Sequence, residues 1–347
     1  AYCSFISASG SANRLIPAYL DALFGEIDAA GEAARRAGKT VRTVYIGGGT
    51  PTTLAPDQLK ALLDRLHTAF DLAPGTEFTV EAGRPDTITR EKLEAIRDGG
   101  GNRISVNPQT MSDLVLETIG RSHRAEDIRQ AYALAREVRV GAINMDLIAG
   151  LPADTPEGFA ATLDEVIGMD PENITVHTLA LKKGSRLMDG APNKGKALVG
   201  ERTSGGMSEF SWKQGNEGYK AREDEEDGSA IPSGEAVAAM LDYADPALRE
   251  KGFAPYYLYR QKYMSGSFEN VGWCISGAEG LYNIYIMEEL HSILSLGAGG
   301  STKMVDAKRN RIERVFHPKF PLEYIQRPEK LTENLEAFRR FHQEMAR

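Results

Sequence analysis

Strand-like and helix-like segments alternate through the first half of this 347-residue chain. The strand-like segments are VRTVYIGGGTP, TEFTVEAG, NRISVNPQ, GAINMDLIAGLP and ENITVHTLAL. This alternation predicts right-handed β-α-β units and a parallel sheet. The apolar run INMDLIAGL further predicts strands that are covered on both faces. An open doubly wound sheet and a complete or partial β/α barrel both fit, and in either the chemistry gathers at the carboxyl ends of the strands.

Amphipathic segments between and after these strands predict the helices. In residues 15–38, apolar side chains recur at helical spacing and Gly38 can end the helix. Pro56 suits the first turn of the next helix. The predicted helices cover residues 15–38, 55–70, 89–101, 111–119, 124–137, 156–169, 235–251, 285–294 and 329–345.

The composition limits the classes of function. Lys and Arg number 41 against 49 Asp and Glu, and the net charge of −8 argues against nonspecific nucleic-acid binding. No apolar run is long enough to span a bilayer, and the visible N-terminus carries no signal-peptide pattern. The two cysteines, Cys3 and Cys274, do not make a disulfide framework. We therefore expect a cytoplasmic protein without nucleic-acid partners or a membrane span.

The composition changes near residue 190. Residues 193–234 are rich in Gly, Ser, Lys and Glu and lack periodicity, which predicts a poorly ordered surface insertion. A lid or a docking site for a partner is the alternative, because Phe210 and Trp212 lie in this segment. We expect three regions: the alternating strands and helices over residues 1–190, a flexible insertion over 191–234, and a smaller mixed α/β region over 235–347 that covers the active-site side.

Candidate ligand-binding residues lie where the predicted strands end. The GGGTP turn follows the first strand, and its glycines would let backbone groups approach a ligand closely. Glu81 and Asp146 lie late in apolar strands, where a carboxylate is costly to bury unless it is paired. Each is therefore either a structural acid or a ligand-binding acid. Gln109 and Arg121 flank a helix just past a strand end, and either alone would suit a surface role.

Aromatic and basic side chains are weaker evidence for a ligand-binding site. His177 lies inside a strand, which predicts a core histidine rather than a metal ligand. Four tyrosines at positions 256, 257, 259 and 263 are expected to be half core and half pocket lining. Arg260, Lys262 and Lys303 are expected at the solvated surface, with contact to an anionic substrate as the alternative.

Several motifs together resemble one family. The motifs are GGGTP, VEAGRPD, RISVNPQTM, GRSH, NMDLIAGLP and HTLALKKGSRL, with PYYLYRQKY, ENVGW and LSLGAGGSTK further along. Their order and spacing resemble radical S-adenosylmethionine (SAM) enzymes of the oxygen-independent coproporphyrinogen III oxidase group, in particular the coproporphyrinogen dehydrogenase branch. The resemblance covers roughly residues 1–190 and 235–305, and it favours a partial (β/α)6 barrel.

The same resemblance gives a meaning to the opening AYCSF. The family binds a [4Fe–4S] cluster through C-x-x-x-C-x-x-C, commonly ending C-x-Y-C-x-F. Cys3 would then be the third cluster cysteine, and Tyr2 would pack beside the cluster. The first two cysteines would precede Ala1, so we expect an N-terminally truncated chain that holds a cluster poorly and is inactive. An incidental Cys3 is the alternative.

The resemblance also implies a set of SAM-binding residues. Gly48, Gly49 and Thr50 would bind the methionine end of SAM. The carboxylate, ribose and sulfonium surroundings would be held by Glu81, Gln109, Arg121 and Asp146. The backbone of Ala180 would face the adenine. No catalytic residue on the substrate side is assigned.

The resemblance leaves three functions open. The first is oxidative decarboxylation of coproporphyrinogen III propionates to vinyl groups by a 5′-deoxyadenosyl radical, toward protoporphyrinogen IX in haem biosynthesis. The second is haem binding, as in chaperone-like relatives, and the third is radical SAM chemistry on another substrate. The implied partners are coproporphyrinogen III or another tetrapyrrole and an electron donor such as flavodoxin or ferredoxin.

Overall fold

The computed structural model of the protein describes residues 12–180, 231–260 and 268–345. The strands in these residues are β1 (Thr43–Ile46), β2 (Glu77–Glu81), β3 (Arg103–Ser105), β4 (Ala142–Ala149), β5 (Asn173–Thr178), β6 (Ala254–Tyr259), β7 (Asn270–Cys274), β8 (Ser301–Asp306) and β9 (Arg311–Phe316). The α-helices are α1 (Ile16–Arg36), α2 (Pro56–Phe70), α3 (Arg90–Asp98), α4 (Asp113–Thr118), α5 (Ala125–Val138), α6 (Pro156–Gly168), α7 (Gly234–Glu250), α8 (Leu281–Met287), α9 (Pro321–Gln326) and α10 (Pro328–Met345).

Seven strands form one sheet in the order β1-β2-β3-β4-β5-β7-β6. The strands β1 to β5 pair in parallel and in sequence order, which confirms all five strands predicted from the alternation. Strand β7 then pairs antiparallel with β5, and β6 pairs antiparallel with β7. The described part of residues 1–190 therefore supplies five parallel strands to the predicted six-strand barrel, and two later strands continue the same sheet.

The helices that follow β1 to β5 lie on one face of the sheet. Because β-α-β crossovers share one hand and consecutive strands are neighbours, every crossover falls on the same side. The helices also contact each other in order, α1 with α2, α2 with α3, and α3 with α5. A twisted sheet with helices on one side curls into part of a barrel. The partial β/α barrel is therefore confirmed, and the doubly wound alternative is not the fold.

The two faces of the sheet have opposite chemistry. Outward side chains pack under the helices and are at most 1% exposed, among them Phe78, Val80, Ile104, Met145 and Ile174. The residues that alternate with them are polar and face the inside of the curve: Glu77, Thr79, Glu81, Arg103, Ser105, Asn144, Asp146, Thr175 and His177. The prediction of strands with apolar cover on both faces is wrong, because the inner face is mainly polar, although Ile148 of β4 on that face belongs to the hydrophobic core.

The C-terminal region packs against α1 through a buried polar cluster. Helix α10 contacts α1 and β8, and β8 forms an antiparallel hairpin with β9. Glu26 of α1, which is 3% exposed, accepts hydrogen bonds from Tyr324 at 2.6 Å and from the Gly297 backbone at 2.8 Å. His317 lies 2.6 Å from its other oxygen. These three partners satisfy the buried carboxyl group of Glu26 and link the two regions.

Most predicted helices are present with shifts of a few residues at their ends. The exception is the helix expected over 285–294, because α8 begins at Leu281 and ends at Met287. Most of the predicted insertion, with Phe210 and Trp212, lies outside the described residues. Within the described ranges, no helix is both long and apolar enough to cross a membrane. The predicted division at residues 190 and 234 stays a prediction.

Candidate active site

A chamber of about 220 Å³ lies inside the curve of the sheet. Side chains of β1 to β6 and of α8 form its walls. Its lining contains the acids Glu77, Glu81 and Asp146, and the bases Arg103 and His177. Five tyrosines complete this lining: Tyr45, Tyr256, Tyr257, Tyr259 and Tyr282. The chamber is therefore polar and partly aromatic, which is typical of a ligand site rather than of a core.

Glu81 ends β2, and its carboxylate lies between a tyrosine and the glycine turn. Tyr45 donates a hydrogen bond of 2.5 Å to one oxygen, and the Gly48 backbone N–H donates one of 3.3 Å to the other. A Cβ at Gly47 would lie 2.8 Å from the Glu81 carboxyl carbon, so this approach requires glycine. Burial raises the pKa of Glu81, the hydrogen bond from Tyr45 partly offsets the rise, and the charge of Asp146 adds to it.

Asp146, in β4, is held by polar side chains of three strands. Asn144 donates a 2.7 Å hydrogen bond to Oδ1, and it also donates to Ser105 at 3.1 Å. Thr175 donates to the Asn144 oxygen at 3.0 Å, which fixes the orientation of the amide. His177 Nε2 lies 3.7 Å from Asp146 Oδ1. Burial alone would raise the pKa of Asp146, but His177, Asn144 and Thr175 together lower it.

The two strand-end acids are therefore unlike each other. The environment raises the pKa of Glu81 and lowers the pKa of Asp146. Neighbouring acids with opposite pKa shifts commonly take different roles at a functional site. Asp146 can accept hydrogen bonds or pair with a cation, and Glu81 can donate or accept according to its partner.

The tyrosines of β6 form the wall opposite Asp146. Tyr257 and Tyr259 stack with parallel rings, and the Tyr259 hydroxyl lies 3.3 Å from His177 Nδ1. The Tyr257 ring lies directly on Gly272 of β7, where a Cβ would overlap the ring. Burial raises the pKa of Tyr257 well above its usual value, so its hydroxyl stays protonated.

The base of the chamber is closed by contacts between residues that are far apart in sequence. Both oxygens of Glu77 accept hydrogen bonds from the first turn of α8, at 2.7 Å from Leu281 N and 2.8 Å from Tyr282 N. Arg103 donates to Asn173 at 2.6 Å, and its Nε lies 3.9 Å from Glu77. The Tyr282 ring stacks on Tyr45 at 4.4 Å. The Arg103 guanidinium therefore makes its contacts within the base of the chamber.

Two further predicted residues lie at the carboxyl ends of the strands. Gln109 is 7% exposed and has a positive φ of 68°, which is uncommon for a residue other than glycine. Its backbone N–H donates to the Asp146 carbonyl at 2.9 Å, so it is fixed beside β4. The Thr50 side chain would lie 3.8 Å from a Cβ at Gly83, just past the end of β2. The structure thus brings Gly48, Thr50, Glu81, Gln109 and Asp146 to one end of the sheet.

The structure gives less evidence about the site roles of the other predicted residues. Arg121 lies in the loop after α4, is partly exposed and does not line the chamber. Gly49 stands in the open turn, where a Cβ would have no atom within 4 Å. Ala180 follows β5 at the same end. Tyr2 and Cys3 lie outside the described residues, so their predicted roles stay predictions.

The described residues fit SAM better than they fit an iron–sulfur cluster. Open glycine backbone, the carboxylate of Asp146 and the buried amide of Gln109 suit a ligand with ammonium, sulfonium and ribose groups. No group of three or more potential metal ligands occurs in the described ranges. Cys274 is buried, and burial raises the pKa of its thiol to about 11, which disfavours the thiolate that a cluster needs.

Comparison with known proteins identifies the class. Residues 1–166 match the model of the radical SAM superfamily, so the chain contains a radical SAM domain. Proteins of this superfamily use a [4Fe–4S] cluster and SAM. The fold is similar to that of a solved structure, coproporphyrinogen III oxidase (HemN) from Escherichia coli. The TM-score is 0.64 at 20% identity, over 95% of this chain and 66% of that one. This similarity confirms the fold.

Two relatives show which radical SAM proteins the chain is similar to in sequence. The oxygen-independent coproporphyrinogen-III oxidase-like protein HemZ of Bacillus subtilis is 36% identical over 336 residues, which is 96% of this chain and 60% of the relative. The heme chaperone HemW of the same organism is 34% identical over 182 residues, 52% of this chain and 47% of the relative. The predicted relation to this group of radical SAM proteins is confirmed. The chain spans 60% or less of the length of each relative.

Several residues that line the chamber were not predicted as site residues from the sequence. Glu77, Arg103, Asn144 and Thr175 were not singled out, although each alternates with buried apolar residues in its strand. This two-residue period was a usable signal for one polar face. His177 was expected in the core, but it lines the chamber and its side chain is 25% exposed.

Tyr256, Tyr257 and Tyr259 line the chamber, in agreement with the predicted pocket role, and Tyr263 lies outside the described residues. Lys303 was expected at the surface. It is 7% exposed, because its ammonium donates to the Ile286 carbonyl at 2.7 Å and lies 3.4 Å from Glu289.

Proposed function

We propose that this chain is the catalytic barrel of a radical SAM oxidoreductase that converts propionate groups of coproporphyrinogen III to vinyl groups without oxygen. The observation that carries the SAM part is the pair Glu81 and Asp146 beside the glycine turn, at the end of the sheet where barrel enzymes place their chemistry. The substrate part is supported by the relative named coproporphyrinogen-III oxidase-like, which matches 96% of the chain.

In this proposal the strand ends bind and orient SAM. Backbone groups of Gly48, Gly49 and Thr50 would take its methionine end, and Ala180 would face the adenine. Asp146 and Gln109 would hold the ribose and the sulfonium surroundings. Glu81 and Arg121 would complete the set. When it is bound at a [4Fe–4S] cluster that includes Cys3, SAM supplies a 5′-deoxyadenosyl radical that removes a hydrogen atom from the substrate.

The size of the chamber bears on how the substrate would bind. Pockets for drug-sized ligands commonly enclose about 300–1,000 Å³, and the chamber offers about 220 Å³. A tetrapyrrole macrocycle is too large for this volume, but one propionate arm is not. The macrocycle would therefore stay at the open end of the barrel while a single arm enters, and the tyrosine hydroxyls would orient it.

The full-length protein would need a one-electron donor, for which flavodoxin or ferredoxin is the proposed class. Removal of one hydrogen atom and one further electron from a propionate arm releases CO2 and leaves the vinyl group, so an electron acceptor is also required. These partners follow from the chemistry of the proposed reaction.

A second function, haem binding without turnover, is kept because one relative is named a heme chaperone. Its match covers 52% of this chain, whereas the oxidase-like relative matches 96% and includes the residues of β6 and α8 that line the chamber. This difference favours the oxidase.

Product analysis tests the proposal. The full-length protein is incubated anaerobically with coproporphyrinogen III, SAM and a reductant, and the porphyrins are separated after oxidation. We expect products with one and two vinyl groups, and their absence from a sample without SAM. Unchanged substrate together with tight, stoichiometric haem binding would contradict the oxidase and favour the chaperone.

A further inference from the structure

A chain of three side chains crosses the chamber from β6 to β4. The Tyr259 hydroxyl lies 3.3 Å from His177 Nδ1, and His177 Nε2 lies 3.7 Å from Asp146 Oδ1. His177 thus has a partner for each ring nitrogen, and both its side chain and that of Asp146 keep an exposed fraction, 25% and 20%. The three groups come from three strands, so the fold and not local sequence assembles them.

The two contacts are compatible with one tautomer of the neutral imidazole. If the Tyr259 hydroxyl donates to Nδ1, the proton on the neutral ring is on Nε2 and points toward Asp146. The same arrangement orients a histidine between a hydroxyl and a carboxylate in acid–base triads. Protonation of the ring would strengthen its attraction to Asp146. In either state His177 favours the carboxylate form of Asp146.

Other groups around Asp146 act against the carboxylate form. The titratable side chains that face it across the chamber, including those of the neighbouring strands, are Tyr45, Glu81, Arg103, His177, Tyr257 and Tyr259. Glu81 is a second acid, and in its ionised form it repels a negative charge at Asp146. Arg103 also lines the chamber, and its guanidinium is directed at Asn173 and Ala278 of the base. Electrostatic support for Asp146 therefore depends on His177.

We propose that His177 is a positioning residue which, together with Tyr259, keeps Asp146 ionised and in one orientation for ligand binding at the strand ends. This inference rests on the proposed binding of SAM beside Asp146. It assigns no contact between His177 and the ligand. The role of His177 is to fix the residue that does make contact, and loss of His177 would leave the partly enclosed carboxylate with Asn144 and Thr175 as its remaining support.

The test is the pH dependence of SAM affinity in the full-length protein with its cluster. The variants are His177→Phe, which keeps a ring without nitrogens, and Tyr259→Phe, which removes only the hydroxyl. His291→Phe is the matched control, because His291 is exposed, stacks on Tyr285 and does not line the chamber. Equilibrium binding is measured from about pH 3 to pH 8, so that the range includes the acid limb of a carboxyl group whose pKa is lowered.

We expect the acid limb of the affinity profile to move to higher pH in His177→Phe by about one unit or more, since an ion pair shifts a carboxyl pKa by that amount. Tyr259→Phe should shift it in the same direction by less, and His291→Phe should not shift it. A structural role would lower affinity equally at every pH. An unchanged acid limb in folded His177→Phe, or in Tyr259→Phe if the first variant does not fold, would overturn the inference.

An infrared titration separates this inference from the proposed function. The carbonyl band of a protonated carboxyl group is followed with pH without SAM, and Asp146→Asn identifies the band of Asp146. We expect this band to appear at higher pH in His177→Phe than in the wild type. If the wild type fails to bind SAM but the band shifts, the proposed function is wrong and the positioning role stands. If SAM binds and the band does not shift, only the positioning role fails.

Discussion

At the scale of single residues, the environment of each carboxylate decides what it can do. Glu81 and Asp146 have the same chemical group, but the neighbours of Asp146 are a histidine and an amide while Glu81 faces a tyrosine and a backbone N–H. The sequence predicted both positions as candidate ligand-binding acids. It could not rank them, because Ser105, Thr175 and His177, which surround Asn144 and Asp146, come from neighbouring strands and are brought there by the strand register.

Asp154 shows the energetic consequence of an acid that is buried with few partners. It lies at the start of α6 and is 7% exposed, and one of its oxygens finds no donor among the described residues. Burial raises its pKa to about 6, against the hydrogen bond from the Thr155 N–H. The folded state therefore binds this proton more tightly than the unfolded state, and stability falls as the pH rises from about 4 through 6.

We predict that Asp154→Asn makes the protein more stable at pH 8 than the wild type, by roughly 1–2 kcal/mol, and changes little at pH 4. The amide keeps the oxygen that accepts from Thr155 and removes the buried charge. Urea unfolding at both pH values measures the difference. Equal effects of the substitution at pH 4 and pH 8 would show that the acid is not protonated in the folded protein.

At the scale of elements, the two-residue period of the strands carries most of the information about the site. In β2, Glu77, Thr79 and Glu81 alternate with buried Phe78 and Val80, so one face of this strand is polar. The closure of the chamber base could not be predicted in this way. Glu77 bonds the start of α8 more than 200 residues later, and no periodicity encodes that contact.

Gly272 of β7 has no side chain and so leaves room for the Tyr257 ring in the chamber wall. We predict that Gly272→Ala destabilises the protein by about 1–3 kcal/mol, because the new Cβ would overlap the Tyr257 ring and push it into the chamber. Thermal and urea unfolding measure the loss, and tyrosine fluorescence reports the ring.

Gly25→Ala is the matched control for this substitution. Gly25 lies inside α1 with no atom within 4 Å of the new methyl group, so alanine there should stabilise the helix by about 0.8–1 kcal/mol. If both variants change stability in the same direction, the contact between Tyr257 and Gly272 does not determine the packing of this wall.

At the scale of the whole molecule, the C-terminal region is joined to the barrel in two ways. Strands β6 and β7 extend its sheet, and Glu26 binds residues nearly 300 positions later through Gly297, His317 and Tyr324. The sequence predicted a separate mixed α/β region after the insertion. It could not show that this region completes the wall and base of the chamber, because such contacts depend on three-dimensional proximity alone.

We predict that Glu26→Ala destabilises the protein by about 2–4 kcal/mol, since it leaves buried donors without an acceptor. Hydrogen exchange should become faster at the backbone N–H of Gly297, and the denaturant midpoint should fall. Glu32→Ala on the same helix is the control, because Glu32 forms exposed ion pairs with Arg35 and Arg36 that contribute little. Equal losses in the two variants would mean that the buried cluster does not join the regions.

The central claim is that this barrel binds SAM at Glu81 and Asp146 and directs its cleavage. The most direct measurement is the amount of 5′-deoxyadenosine and methionine formed from SAM by the anaerobically reduced full-length protein. We expect equal amounts of the two products from the wild type. We also expect SAM binding about 10- to 100-fold weaker in Glu81→Gln and Asp146→Asn, the cost of one lost hydrogen bond to a charged ligand group. A wild-type protein with an intact cluster that forms no 5′-deoxyadenosine, or variants that bind and cleave SAM as the wild type does, would contradict the account.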